Sequence, residues 1–176
     1  MVMSGCSKHY YNPASQVLPQ NLQKIAVRPF VNRTRRQGLE DKLTMAVHAA
    51  FNRDGRWQIV EEDQADGVLI GEITHYLLMS LKHNAHHVAT EYKLRILVDI
   101  SFYDRTRKQT LWKEPHLEAT LTAPSSSSGL PGSLTEVEAQ QKLWEQLARD
   151  IATRTFEGFG TVTGASEKSV PQSSPE

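Results

Sequence analysis

Residues 92–103 read YKLRILVDISFY. Tyr92, Leu94, Ile96, Val98, Ile100 and Phe102 alternate with Lys93, Arg95, Leu97, Asp99, Ser101 and Tyr103. A period of two sends successive side chains to opposite faces of a sheet. One face of this strand is therefore buried. The other carries Lys93, Arg95, Asp99 and Ser101 and has to meet water or a polar partner. DRTRK (104–108) then makes a tight connection to QTLWKEPHLEATLT (109–122), which predicts a hairpin, and Pro115 marks a bulge or an edge position.

Upstream lies a long strand, VLIGEITHYLLMS (68–80), in which Gly71 predicts a bulge or a close backbone approach. KIAVRPF (24–30) and WQIV (57–60) give two shorter strands, VNRTRRQG (31–38) a polar turn and EEDQADG (61–67) a polar link. Between the short strands, Leu39, Leu43, Ala46, Val47, Ala50 and Phe51 fall on one helical stripe, which Gly55 ends.

Downstream, APSSSSGLPGS (123–133) reads as a flexible loop. A second helix is expected from about Thr135 to Phe156, capped by Ser133 or Thr135. Its apolar side carries Val137, Leu143, Trp144, Leu147, Ala148 and Ile151, and its polar side Glu138, Gln141, Glu145 and Arg149. Together these elements predict an α+β fold. Its architecture is a two-layer sandwich, with two amphipathic helices on one face of a roughly four-stranded mixed or antiparallel sheet.

Lys+Arg and Asp+Glu balance at 20 each in 176 residues, so no global field draws the chain to nucleic acid or anionic lipid. No apolar run reaches the roughly 18 to 20 residues that span a bilayer. A single cysteine excludes an internal disulfide and a zinc site built on several thiolates.

That cysteine, Cys6, follows small residues in MSGC (3–6), the pattern a lipoprotein signal peptidase needs before a diacylated cysteine. The charged and apolar segments of a secretory signal are missing in front of it, so the start is either trimmed close to the mature end or misplaced. An ordinary cysteine in a leader is the plain alternative. With each buried methylene of an acyl chain contributing about 0.8 kcal/mol, two or more chains hold a protein stably on a bilayer. The expected organisation is a lipid-anchored extended leader over residues 1–22, an α/β domain over 23–159 and a disordered tail over 160–176.

Five pieces in order, Cys6, LPQNLQKIAVRPFVNRT, GLEDKLTMAVHAAFNRDGRWQIVEEDQADGVLIGEI, ATEYKLRILVDISFYDRTRKQTLW and the C-terminal amphipathic helix, resemble the lipopolysaccharide-assembly lipoprotein family, LptE. The resemblance implies an outer-membrane lipoprotein, anchored through acylated Cys6 in the inner leaflet, without enzyme activity or cofactor. It also implies that the chain sits inside the β-barrel protein LptD, helps that barrel assemble and assists delivery of lipopolysaccharide. Ser7 after the cysteine resembles outer-membrane sorting in enteric-type bacteria. IAVRPFVNRT also looks like the opening of curli-secretion and TolB-type periplasmic domains, and a lipoprotein of that kind is the alternative.

In the family, basic residues before the EYKL-like strand are associated with the phosphorylated lipid. The matching stretch supplies Lys82, His83, His86 and His87, with Lys93 and Arg95 on the strand after it. Several cations donating charge-assisted hydrogen bonds are the chemistry that holds phosphate. The family's second basic position, in the following loop, has no counterpart in TAPSSSSGLPGS. A solvated hairpin tip is the plain reading of the same residues. Metal ligation by His83, His86 and His87 is a further one, with only the Glu91 carboxylate nearby.

Overall fold

A computed structural model describes residues 22–157. Cys6 with the expected leader, and the tail from 160, lie outside the described residues. The elements, in chain order, are β1 (Lys24–Val27), β2 (Val31–Asn32), α1 (Leu39–Asp54), β3 (Gln58–Ile59), β4 (Gly67–His83), β5 (Ala89–Asp104), β6 (Gln109–Pro124) and α2 (Glu136–Glu157). The α+β class stands, but the sheet has six strands rather than about four. Its order is β3-β1-β4-β5-β6, with β2 also paired to β4. β1 runs parallel to β3 and β4, β2 runs parallel to β4, and β4, β5 and β6 form an antiparallel meander.

The alternation in β5 is realised residue for residue: Tyr92, Leu94, Ile96, Val98, Ile100 and Phe102 are buried, and each residue between them is half-exposed. Both helices lie against that inner face. Leu39, Leu43, Val47 and Phe51 from α1 join Leu143, Trp144, Leu147 and Ile151 from α2 in one core with β5. Gly55, in the left-handed conformation at φ 72°, closes α1 by donating its N–H to Phe51 O. Thr135 caps α2 as a capping box: its hydroxyl accepts from Glu138 N–H, and the Glu138 carboxylate accepts from Thr135 N–H.

Three sequence expectations are corrected. VNRTRRQG is not wholly a turn, because Val31 and Asn32 pair with Glu72 and Ile73. Val137 lies 68% exposed, because Glu136 and Gln140 take the sheet-facing positions there through hydrogen bonds with Tyr76. The polar link 61–67 includes a 3-10 turn, Glu62–Gln64. Buried Ala65 in the same link joins Ala26 and Val68 in a second small apolar cluster. Val68 pairs with Tyr103, so this cluster lies on the face shared with Lys93 and Ser101, which is therefore not polar throughout.

Gly71 pairs in register with Ile100, and the first irregularity of β4 comes later, between Ile73 and His75. The close approach at Gly71 is made by the Phe30 ring, which stands where a Cβ would be. Pro115 is both things expected of it: β6 is an edge strand, and its register slips between Glu114 and Leu117. Gly71→Ala should therefore force Phe30, itself 3% exposed, out of its seat. The expected cost is about 1 to 3 kcal/mol of stability, read as a lower urea midpoint with an unchanged slope.

Candidate functional site

The long strands β4 and β5 run past the short strands and carry the candidate residues outward. After Ile73, β4 has β5 on one side and no strand on the other among the described residues. Lys82 and His83 belong to β4 itself, and only His86 and His87 occupy the turn. Asn84 organises that turn, its side-chain oxygen accepting from the N–H groups of His86 and Val88. His87 takes a left-handed φ of 59°.

Lys93 and Arg95 stand on the outer face in a defined setting. Lys93 lies opposite Met79 on β4 and Thr122 on β6, and Arg95 opposite Leu77 and Thr120. Directly paired residues share a face. The outer surface at this end is thus three parallel strips: apolar Leu77 and Met79, cationic Lys93 and Arg95, and hydroxyl-bearing Thr120 and Thr122. Leu77 and Met79 are each 40% exposed.

The cations differ in how far they are already satisfied. Lys82 Nζ lies 2.5 Å from Glu91, and Arg95 Nη2 lies 2.6 Å from Glu118. The Arg95 guanidinium, with the Thr120 hydroxyl behind it, holds the Glu118 carboxyl below the usual carboxylate range. Arg95 Nε is nonetheless buried without a hydrogen-bond partner, and Lys93 has no ion pair among the described residues. Lys82, Lys93 and Arg95 lie along the outer half of the meander. His83, His86 and His87 stay at its tip. Among the described residues no group of three His, Cys, Asp or Glu side chains is placed to hold a metal ion.

Sequence reasoning missed the apolar strip and the joint that carries it. Leu77, Leu78, Met79 and Leu81 are all exposed, and the sign of this was the run LLMSL, which breaks the alternation of residues 68–74. At the base of the projecting ribbon the Tyr76 hydroxyl donates to Glu136 at 2.8 Å and accepts from Gln140 at 2.7 Å. Glu136 also pairs with Arg36 at 2.8 Å, and Gln140 accepts from Lys42 of α1. The Arg36 guanidinium lies 5.2 Å above the Tyr76 ring. One knot of side chains therefore ties β4 to both helices.

The sequence model of the LptE family, described as lipopolysaccharide-assembly, matches residues 22–156. The chain belongs to the LptE family. No curated protein matches it. Among solved structures it is similar to the hypothetical protein CT253 from Chlamydia trachomatis, at TM-score 0.53 and 11% identity over 77% of this chain and 96% of that one. It is also similar to protein XCC0632 from Xanthomonas campestris, at TM-score 0.52 and 14% identity over 82% and 88%. At these identities the likeness is one of fold. No helix among the described residues of this LptE-family chain is long and apolar enough to cross a membrane.

Burial, followed by the Glu136 hydrogen bond, pushes the Tyr76 phenol from 10.0 up to about 12. A group that ionises higher when folded contributes its full stability below its unfolded value and loses it as pH rises. For Tyr76 that window runs from pH 10.0 to about 12. Stability should fall across it. In Tyr76→Phe that part of the decline should disappear, as read from urea midpoints against pH, and ultraviolet titration should lose its latest-ionising tyrosine.

Proposed function

We propose that this LptE-family chain is a non-enzymatic lipoprotein of a Gram-negative-type outer membrane. Acylated Cys6 anchors it on the periplasmic side, it assembles with the LptD β-barrel, and it assists lipopolysaccharide transport. The observation that carries the lipid half of this reading is the banded outer face of β4, β5 and β6. Phosphorylated glycolipid needs cations for its phosphates and an apolar surface for its chains, and Lys93 and Arg95 lie directly beside Leu77 and Met79.

Lys93 supplies a charge that no carboxylate among the described residues pairs with, and the partly exposed Arg95 guanidinium stands beside it. Glu118 keeps the guanidinium extended along the sheet, so binding costs little side-chain ordering. Lys82, His83, His86 and His87 extend the same polarity to the hairpin tip. MSGC supports the anchor, and family membership supports the barrel partner.

The test separates the two halves. Full-length protein is recovered from its own outer membrane, and the retained barrel and lipopolysaccharide are quantified for the native chain and for the pair Lys93→Glu, Arg95→Glu. The barrel should be retained in equal amount. Bound lipopolysaccharide should fall by about tenfold, the scale of losing one to two charged contacts. Unchanged lipopolysaccharide would remove the outer face from the account, and absence of the barrel would remove the assembly role.

A further inference from the structure

The two edges of the sheet are built differently. The β6 edge contains Pro115, which has no N–H, a register slip at His116, whose φ is 58°, and the charges of Lys113, Glu114 and Glu118. These are the devices by which proteins keep an edge from pairing. The free edge of β4 has almost none of them. From Thr74 to Leu81 it contains no proline and no charged residue, and its protection is limited to register irregularities between Ile73 and His75 and between Ser80 and Lys82. Leu78 and Leu81 are 44% and 48% exposed.

We propose that the free edge of β4, from Tyr76 to Lys82, accepts an extended strand of a partner polypeptide whose middle is apolar and whose ends are acidic. The edge offers a ladder of backbone donors and acceptors, which a polypeptide satisfies and a lipid does not. Charge fixes the rest of the partner's character. At its inner end the edge is bordered by an open cleft of about 500 Å³ lined by Thr34, Arg35, Arg36, Gln37 and Tyr76. Arg36 there is paired with Glu136, but Arg35 is exposed and has no ion pair among the described residues. At its outer end stand Lys82, which is paired with Glu91 but 70% exposed and open to a second carboxylate, and the imidazoles of His83, His86 and His87, all exposed.

A second copy of the chain fits this edge poorly. Antiparallel pairing about Met79 sets Lys82 of one copy against Tyr76 of the other, bringing Lys82 and His83 beside Arg35 and Arg36, and like charges there oppose association. Strand addition also leaves the outer face open. Lipid contact uses the side chains of Leu77, Met79, Lys93 and Arg95, whereas the added strand uses backbone groups along the edge.

The probe is a short synthetic peptide of alternating valine and threonine with acidic residues at both ends, added to the full chain. Fluorescence anisotropy reports binding, and amide hydrogen exchange reports its place. Binding should protect the amides of residues 76–82. It should weaken about tenfold or more when the peptide is N-methylated at alternate residues, when its ends are changed to lysine, or when Arg35→Glu is introduced. Arg35 is an exposed loop residue, so that variant keeps the fold, which its thermal melt verifies. Equal binding of the lysine-ended or N-methylated peptide would overturn the proposal. So would a concentration-dependent dimer that protects the same amides, or protection of those amides by lipopolysaccharide alone.

Discussion

β5 is held on both sides along nearly its whole length, and everything at the candidate site depends on its being longer than the layer that covers it. Its 16 residues reach about 50 Å at roughly 3.4 Å per residue. β1 and β3 are four and two residues long, and β2 is two. The parallel part of the sheet therefore ends near Ile73, while the antiparallel part continues. Antiparallel strands need no helix to return the chain, so β4, β5 and β6 can project with one face open. That open face is where Leu77, Met79, Lys93 and Arg95 come together.

A projecting ribbon of this kind needs a rigid base. Tyr76 stands at the point where β4 loses its second neighbour, and its hydroxyl is held by Glu136 and Gln140 of α2. Gln140 is 3% exposed, so these hydrogen bonds are shielded from competing water and each member leaves a partner unsatisfied if removed. Tyr92 adds a second tie on the neighbouring strand, its hydroxyl donating to Leu134 O at 3.0 Å. The ribbon is thus fixed to the helix layer by polar contacts at its base and by Leu94 and Ile96 on its inner face.

The architecture was legible wherever burial imposes a period. β5, α1 and α2 follow from apolar spacing, because each buries one continuous side, and β6 follows from the tight DRTRK connection, its own alternation being broken at the slip between Glu114 and Leu117. β2 was not legible, since two residues carry no period, and it exists only because the turn after Phe30 runs alongside β4. Val137 misled because spacing cannot show that Glu136 and Gln140 are wanted by Tyr76. For the site, Lys93 and Arg95 were visible as the polar half of an alternation. Their setting was not, because the partners Glu118, Met79 and Leu77 come from strands whose register no local pattern records. The placing of Lys82 and His83 in β4 was likewise hidden, as their neighbours lack alternation.

The central claim is that the outer face of the projecting ribbon, and not the outer face of the sheet as a whole, meets lipid. In-cell photo-crosslinking with a photoreactive amino acid placed in turn at positions 79, 93, 101 and 113 tests it most directly. The account predicts lipopolysaccharide adducts at positions 79 and 93 and none at 101 and 113, which lie on the same face toward the far end of β5 and β6. Adducts of equal yield at all four positions, or confined to 101 and 113, would contradict it.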